Sequence, residues 1–304
     1  MRICVAATPD VAIPTLDYLL HSDHELISVI TQPDRPAGRG RELQSTPVAQ
    51  WASVNNILLH KCNSDDEVAS ALENIDLVIA IGYGRILAPY VLQIPRYGFI
   101  NLHFSLLPSY RGAAPAQRAL LAGEVKTGVT VFKLDAGMDT GPIYRSQVVD
   151  IAQTWNTGDL LKVLSEIGSD IVSATIDDIL AGVLPVAQSG AGISFAPKIL
   201  RDETWIDWSQ SAEKINNHVR AFTPHPGALT KFRGQIFKII NIGYAEEEIM
   251  LKAGELTLLN KKVYVGCDDG QIVNLISVTP SGGKPMSACD WANGARLVLG
   301  EKFG

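Results

Sequence analysis

The sequence predicts two domains, a Rossmann-like, doubly wound, mostly parallel α/β sheet followed by a small OB-like β-barrel. Three observations predict this fold class. Strand and helix patterns alternate through the first 180 residues, as in a doubly wound sheet. The alternation stops around residues 190–208, where a glycine-rich stretch begins. Several short strand patterns then fall within the last 100 residues, which is typical of a small barrel. We therefore expect a first domain at 1–189, a linker at 190–208 and a second domain at 209–304.

Continuous apolar runs identify the strands of the first domain. Leu77–Ile81 consists only of apolar residues, which fits a strand that is buried on both faces. The predicted strands are 2–7, 26–31, 77–81, 98–103 and 129–134, and the predicted helices are 14–20, 48–54, 65–73, 115–122 and 158–180. Thr157 is expected to cap the last of these helices.

The second domain is predicted to open with a short amphipathic helix and to continue as strands. Ile215, Val219 and Phe222 share one face of that helix. Strands are expected at 228–232, 235–242, 263–266 and 272–278, with a hairpin turn at 269–270. Ser287 and Asp290 have the spacing of a capping box and predict a final helix.

Composition narrows the class of protein. With 46% hydrophobic and 19% charged residues, the chain is typical of a globular protein in solution. No apolar run reaches the roughly 18 residues of a membrane span, and the start lacks the features of a secretory signal. The four cysteines are isolated, which argues against a zinc site or a disulfide framework and favours the reducing cytoplasm.

Two further observations concern ligands. The first strand is followed by Ala7 and Thr8 rather than by a Gly-x-Gly-x-x-Gly turn, and no phosphate-binding Walker loop occurs, so neither a nicotinamide nor a bound nucleotide cofactor is expected. The net charge of −6 disfavours nucleic-acid binding by the whole chain. Residues 208–304 nevertheless carry a small excess of basic side chains, which leaves room for a local basic face.

Polar residues at the ends of predicted strands form a candidate catalytic set. Asn101 and His103 are two residues apart in a strand and therefore share a face. Asp139 lies in a glycine-containing loop after the next strand and could reach the same crevice. An imidazole, an amide and a carboxylate suit acyl transfer to an amine, and no nucleophile elbow is present, so direct attack by the amine is expected. Each residue also has an ordinary structural interpretation, as a core histidine, a loop-stitching amide and an Asx-turn.

Several ordered motifs resemble the 10-formyltetrahydrofolate-dependent formyltransferases. The segment NLHFSLLPSYRGAAPAQ covers residues 101–117, and DAGMDTG covers 135–141. TPD at 8–10, QPDRPAGRG at 32–40, FAPK at 195–198 and IDW at 206–208 extend the resemblance through nearly the whole chain. Together they are most similar to the branch of the family that formylates initiator methionyl-tRNA.

The resemblance implies roles for particular residues. Asn101, His103 and Asp139 match the family's catalytic positions. The contacts to the formyl donor, 10-formyltetrahydrofolate, map to Ser105, Leu106, Leu107 and Pro108 and to Tyr83 and Gly84. From the residues alone, ordinary core packing would be the simpler interpretation of Leu106 and Leu107. No metal is implied.

The acceptor tRNA is assigned to two regions. The loop from Gln32 to Ser45 carries Arg35, Arg39 and Arg41, which on composition alone predict only a solvated connection, while the resemblance implies an arm that approaches the acceptor stem. A basic face on the barrel would consist of Lys231, Arg233, Lys238, Lys261 and Lys262.

The resemblance is not complete, and it leaves alternatives. Ala7 stands where the family usually has glycine, and Phe104 where a small residue is common. The alternatives are a formyltransferase that acts on an amino sugar nucleotide or on glycinamide ribonucleotide, a formyltetrahydrofolate hydrolase, and a non-catalytic folate- or RNA-binding module. A cytoplasmic monomer is expected.

Overall fold

The computed structural model describes residues 1–37, 42–245 and 247–304, with the backbone alone at Ala37. The chain divides into two compact units. Unit 1 comprises Met1–Pro115, Lys126–Ile151 and Leu161–Lys198, and unit 2 comprises Ala116–Val125, Ala152–Leu160 and Ile199–Gly304. Each unit therefore contains more than one stretch of chain.

A seven-stranded sheet forms the centre of unit 1. The first nine strands are β1 (Arg2–Ala7), β2 (Glu25–Thr31), β3 (Arg35–Ala37), β4 (Glu42–Gln44), β5 (Leu58–Lys61), β6 (Leu77–Ile81), β7 (Phe99–His103), β8 (Lys126–Lys133) and β9 (Ile143–Asp150). Their order in the sheet is β5-β2-β1-β6-β7-β8-β9, and β3 and β4 pair separately as a hairpin. The first five strands in that order run parallel, and β8 and β9 are antiparallel to their neighbours.

This sheet confirms the predicted α/β class. The five predicted strands correspond to β1, β2, β6, β7 and β8 with shifts of at most a few residues at their ends. The sequence pattern missed β5 and β9, the two edge strands. Most side chains of β9 are exposed or half-buried, so this strand lacks the continuous apolar run that identified the others.

The described residues before position 190 contain six α-helices. They are α1 (Ile13–Leu20), α2 (Pro47–Val54), α3 (Asp65–Ala71), α4 (Pro89–Leu92), α5 (Pro115–Leu121) and α6 (Thr157–Leu180). The predicted cap of α6 is wrong. The Asn156 side chain accepts hydrogen bonds from the backbone N–H groups of Gly158 and Asp159, whereas the Thr157 hydroxyl donates to the carbonyl of Ala221.

Unit 2 is built on an antiparallel sheet, as the sequence predicts. Its elements are α7 (Ala212–Phe222), β10 (Ala228–Phe232), β11 (Gln235–Tyr244), β12 (Leu256–Leu259), β13 (Lys262–Gly266), β14 (Ile272–Thr279), β15 (Met286–Ser287) and α8 (Ala288–Ala295). The strand order is β10-β11-β14-β13-β12, and β15 pairs with β14. An aromatic cluster of Phe232, Phe237, Trp291 and Phe303 lies in the core of this sheet.

The segment after α8 joins the two edges of this sheet. Phe303 pairs with Phe232 of β10, and Lys302 pairs with Glu255, which directly precedes β12. The backbone N–H of Gly304 donates to Lys231 at 3.1 Å on the β10 side. These pairings bring the sheet close to a closed barrel and satisfy backbone groups that an open edge would leave unpaired.

Residues 190–208, the expected linker, have two kinds of neighbours. Ser194 and Ala196 pair with Arg111 inside unit 1. Ile206 and Trp208 are buried in the core of unit 2. In the described parts of the chain, no helix is both long and apolar enough to cross a membrane.

Candidate active site

Strand β7 carries two of the candidate catalytic residues on one face. It lies between the parallel strand β6 and the antiparallel strand β8, where Asn101 is opposite Phe132 and His103 is opposite Thr130. The other residues of the strand are buried and apolar. Packing on both sides therefore fixes the backbone from which the two polar side chains project.

The imidazole of His103 is buried and held at one nitrogen. Only 6% of the residue is exposed. Nε2 lies 2.9 Å from the carbonyl oxygen of Tyr110, and because a carbonyl only accepts, Nε2 carries the proton and donates it. The edge of the Phe132 ring packs against the imidazole. The ring therefore has a fixed orientation, with Nδ1 as the second nitrogen.

The carboxylate of Asp139 lies beside Nδ1 of His103. The closest approach, from Asp139 Oδ2 to Nδ1, is 3.8 Å. Burial lowers the pKa of His103 below its ordinary value, and the Asp139 charge and the Tyr110 carbonyl oppose that shift. The imidazole is consequently neutral near pH 7, with an unshared electron pair on Nδ1.

The loop that carries Asp139 is tightly constrained. Asp139 has a positive φ of 54°, and its Oδ2 accepts a hydrogen bond of 2.7 Å from the backbone N–H of Gly112. Asp135 holds the loop from within by accepting hydrogen bonds from Gly137 N and the Thr140 hydroxyl. A Cβ atom at Gly141 would lie 1.7 Å from the carbonyl oxygen of Lys133, so only glycine fits there.

Asn101 completes the set with an uncommitted amide. The residue is half-buried, and its side chain has no hydrogen-bond partner within residues 1–37, 42–245 and 247–304. The structure thus brings His103 and Asp139 into contact and places Asn101 on the same face of β7. This arrangement offers a hydrogen-bond donor, a proton acceptor and a negative charge.

The proposed donor-binding turn at residues 105–108 follows β7 directly. Ser105 is fully buried and its hydroxyl donates to the carbonyl of Ser109 at 2.6 Å. The Thr130 hydroxyl accepts from Leu107 N and donates to the carbonyl of Ser105. The peptide bond between Leu107 and Pro108 is cis. Leu106 and Pro108 are the members of this turn that stay half-buried.

Tyr83 and Gly84, at the end of β6, differ in what they expose. The Tyr83 ring packs in the apolar core with Cys4 and Cys62, and burial raises its pKa to about 12. Its backbone carbonyl accepts hydrogen bonds from Thr8 and Gln32. The assignment of Tyr83 to the donor therefore stays a prediction, and it concerns the backbone of Tyr83 rather than its ring. Gly84 has open space around the position of a Cβ atom.

The two departures from the family pattern are both buried. Ala7 is the last residue of β1 and pairs with Ile81. Phe104 is 8% exposed and directly follows His103. The methyl group of Ala7 and the ring of Phe104 thus belong to the core of unit 1.

Of the three arginines assigned to the acceptor loop, the structure describes one. Arg35 is exposed at the start of β3 and donates to the Gln32 side chain. A cavity of about 250 Å³ adjoins it, lined by Thr8, Gln32, Pro33, Arg35, Gln44, Ser45 and Thr46. Arg39 and Arg41 lie outside the described residues.

Two of the five basic residues proposed for the barrel form ion pairs with carboxylates of the same unit. Arg233 forms two hydrogen bonds with Glu301, at 2.6 and 3.0 Å, and Lys262 pairs with Glu247 at 3.0 Å. Lys231 lies over the ring of Trp205. Lys238 and Lys261 form no ion pair within the part of the chain that the structure describes.

Comparison with known proteins identifies the relatives of this site. The family model described as formyl transferase matches residues 1–176, and the model of the formyl transferase C-terminal domain matches residues 198–296. A methionyl-tRNA formyltransferase of Streptomyces griseus is 41% identical over 310 residues, covering all of both chains.

Two solved structures share the fold. HypX from Aquifex aeolicus in complex with tetrahydrofolic acid has a TM-score of 0.70 at 19% identity, over 99% of this chain and 48% of that one. An N-formyltransferase from Helicobacter canadensis, in complex with folinic acid and dTDP-3-aminofucose, has a TM-score of 0.68 at 20% identity, over 90% of this chain and 98% of that one. Both domain models and a full-length relative at 41% identity lead to one conclusion: this chain belongs to the formyltransferase family.

Proposed function

We propose that this protein transfers the formyl group of 10-formyltetrahydrofolate to the α-amine of methionyl-initiator tRNA, for the initiation of translation. The observation that carries the proposal is the contact between the buried His103 and the half-buried Asp139, beside the amide of Asn101. It occurs in a chain that aligns from end to end with a protein named methionyl-tRNA formyltransferase. The geometry supports the chemistry, and the full-length relationship supports the acceptor.

The chemistry begins with attack of the amine nitrogen on the formyl carbon. A carbon–nitrogen bond forms, and the electron pair of the carbonyl moves to its oxygen. Asn101 donates a hydrogen bond to that oxygen as its negative charge develops. The amide suits this role because it has no other partner in the described part of the chain.

His103 then transfers the proton. Since Nε2 donates to Tyr110, Nδ1 is the imidazole nitrogen that can accept the proton of the attacking amine. The imidazolium so formed faces Asp139, whose charge stabilises it, and its Nδ1–H can also hydrogen-bond the negative oxygen. Collapse of the tetrahedral intermediate breaks the bond to N10 of the folate, and N10 receives the proton from Nδ1.

The donor is assigned to the turn after β7 and to the end of β6. Leu106 and Pro108 offer half-buried apolar surface, and Gly84 lets a ligand approach the backbone. Ser105 and Leu107 maintain the shape of the turn through buried contacts. A folate donor is also supported by the tetrahydrofolic acid bound to HypX, which has the same fold.

The acceptor is assigned to Arg35, Arg39 and Arg41 and to unit 2. On unit 2, Lys238 and Lys261 are the best candidates, because Arg233 and Lys262 are neutralised by carboxylates of the same unit. We retain the proposed division of labour, with catalysis by residues 1–189, a connection at 190–208 and tRNA binding by residues 209–304. Action in the cytoplasm as a monomer is part of the same proposal.

Transfer to an amino sugar nucleotide is the second candidate. The fold shared with the Helicobacter canadensis enzyme, which was solved with dTDP-3-aminofucose, supports it. Hydrolysis of the formyl donor by water is a third outcome of the same site. The test is formyl transfer from 10-formyltetrahydrofolate with three competing acceptors: methionyl-initiator tRNA, dTDP-3-aminofucose and water. Initiator-selective formylation supports the proposal, and formate release or sugar formylation with no tRNA product overturns it.

A further inference from the structure

Gln188 connects two chain segments of the site: the loop at 139–141, which carries Asp139, and the segment at 110–112, which contacts both His103 and Asp139. It lies after α6 in a stretch without regular structure and is half-buried. Its side-chain nitrogen donates to the carbonyl oxygens of Asp139, at 2.9 Å, and Gly141, at 2.8 Å. Its side-chain oxygen accepts a hydrogen bond of 2.6 Å from Nη2 of Arg111. The side-chain oxygen and both N–H groups of Gln188 are thus engaged in hydrogen bonds.

Arg111 is the middle residue of the segment at 110–112. Its neighbours on either side hold the site: the Tyr110 carbonyl accepts from His103, and the Gly112 N–H donates to Asp139. The backbone of Arg111 is fixed in turn, because its N–H donates to Ser194 and its carbonyl accepts from Ala196. Gln188 therefore extends from a rigid support to the loop that carries Asp139.

The charge of Arg111 explains why an amide suits position 188. The residue is 9% exposed and forms no ion pair with a carboxylate in the described ranges of the chain. Its buried guanidinium needs an acceptor, whereas the two loop carbonyls need a donor. Only a side chain with both functions serves both ends, and glutamine has the length to do so.

We propose that Gln188 is a positioning residue that keeps the Asp139 carboxylate beside Nδ1 of His103. Asp139 has a left-handed backbone conformation, which is unfavourable for most residues with a side chain and which Asp and Asn adopt only occasionally. The hydrogen bonds from Gln188 to the carbonyls of Asp139 and Gly141 hold the backbone on both sides of Thr140 and so stabilise that conformation. Because this inference rests on the proposed role of Asp139, its test includes a variant of Asp139.

Two substitutions of Gln188 are compared: one removes both its donor and its acceptor function, and the other removes only the donor function. Gln188→Met keeps the volume and removes both functions. Gln188→Glu keeps an acceptor for Arg111 and presents oxygen instead of N–H to the loop carbonyls. Because a misplacement of about 1 Å can cost ~10²-fold in rate, we expect both variants to lower kcat by roughly 10- to 100-fold. KM for 10-formyltetrahydrofolate should change less than about threefold, since neither variant touches the donor-binding turn. Gln147→Met, on the exposed part of β9, is the control and should keep the normal kcat.

The decisive measurement places Gln188→Met in an Asp139→Asn background. If Gln188 acts through Asp139, its loss should cost less than about threefold there, because residues that act as a unit are not additive. Equal losses in both backgrounds would overturn the positioning role, as would normal kcat in Gln188→Glu, which would leave only a structural contact with Arg111. A normal rate in Asp139→Asn alone would instead refute the proposed function of Asp139. Thermal unfolding of each variant identifies any that fail to fold, and the Glu variant then replaces the Met variant in the comparison.

Discussion

Substitution of Asn101 by alanine separates catalysis from stability most clearly. The amide is half-buried and has no hydrogen-bond partner in the described residues. Removal of the amide leaves no buried donor or acceptor without a partner, so the free energy of unfolding should change by less than about 1 kcal/mol. Because the amide donates to the negative oxygen of the intermediate in the proposed mechanism, the rate of the same variant should fall by about 10²–10³, equivalent to about 2.7–4 kcal/mol of transition-state stabilisation.

The assay is single-turnover formylation of methionyl-initiator tRNA at saturating 10-formyltetrahydrofolate, together with thermal unfolding. Asn101→Asp is the matched second variant, because it keeps the shape but places a carboxylate where the negative oxygen forms, and it should be at least as slow as Asn101→Ala. Both proteins should bind the folate normally. Near-normal turnover in the alanine variant would refute the reasoning, and so would a rate loss that is matched by an equal loss of folding stability.

Three further predictions concern pH, backbone geometry and the acceptor. Because burial lowers the pKa of His103, the imidazole of the free enzyme, followed by NMR, should titrate below the ordinary histidine value of about 6.5; a titration above that value would contradict a neutral imidazole as proton acceptor. The Asp139 charge raises the same pKa, so Asp139→Asn should move the titration of the His103 imidazole to still lower pH while reducing kcat. Gly112 has a φ of 127°, and a Cβ atom there would lie 2.6 Å from a backbone oxygen, so Gly112→Ala should lower the free energy of unfolding by about 1–3 kcal/mol in chemical denaturation. Gly182→Ala, which has a positive φ but open space, is its control and should cost about 1 kcal/mol or less. Arg39→Ala should raise KM for the tRNA and reduce the salt dependence of its binding, with folate affinity unchanged; an unchanged salt dependence would count against a phosphate contact.

The end of unit 1, just before residue 199, shows where prediction from periodicity stops. Residues 194–196 carry no helical or strand periodicity, and the sequence interpretation treated them as part of a linker. In the structure they pair with the backbone of Arg111 and so fix the loop between the partners of His103 and Asp139. Backbone pairing of this kind needs no periodic side-chain pattern, so periodicity could not predict it, and the FAPK motif at 195–198 marks the segment only through the resemblance. Gln188 was missed for a related reason, since one amide in an irregular segment has many possible partners.

The proposed donor-binding residues show a second limit. The family resemblance directs attention to the end of β6, but it does not distinguish a side chain from a backbone. Tyr83 turns its ring into the core with Cys4 and Cys62 and leaves only its carbonyl on the side of Thr8 and Gln32. The direction of a side chain after the end of a strand depends on the turn, and here glycines with positive φ flank Tyr83 on both sides.

The sequence by itself determined the α/β class, the central strands, the antiparallel second unit and the identity of the candidate catalytic residues. These depend on local periodicity and on motifs of contiguous residues, which a chain carries in full. Only the tertiary structure decided which nitrogen of His103 is free, how close Asp139 lies to it, and which distant residues hold the pair. Those properties depend on contacts between segments such as Gly112 with Asp139 and Gln188 with Gly141. Such contacts exist only after the chain has folded, because burial and backbone hydrogen bonding, rather than sequence proximity, bring the segments together.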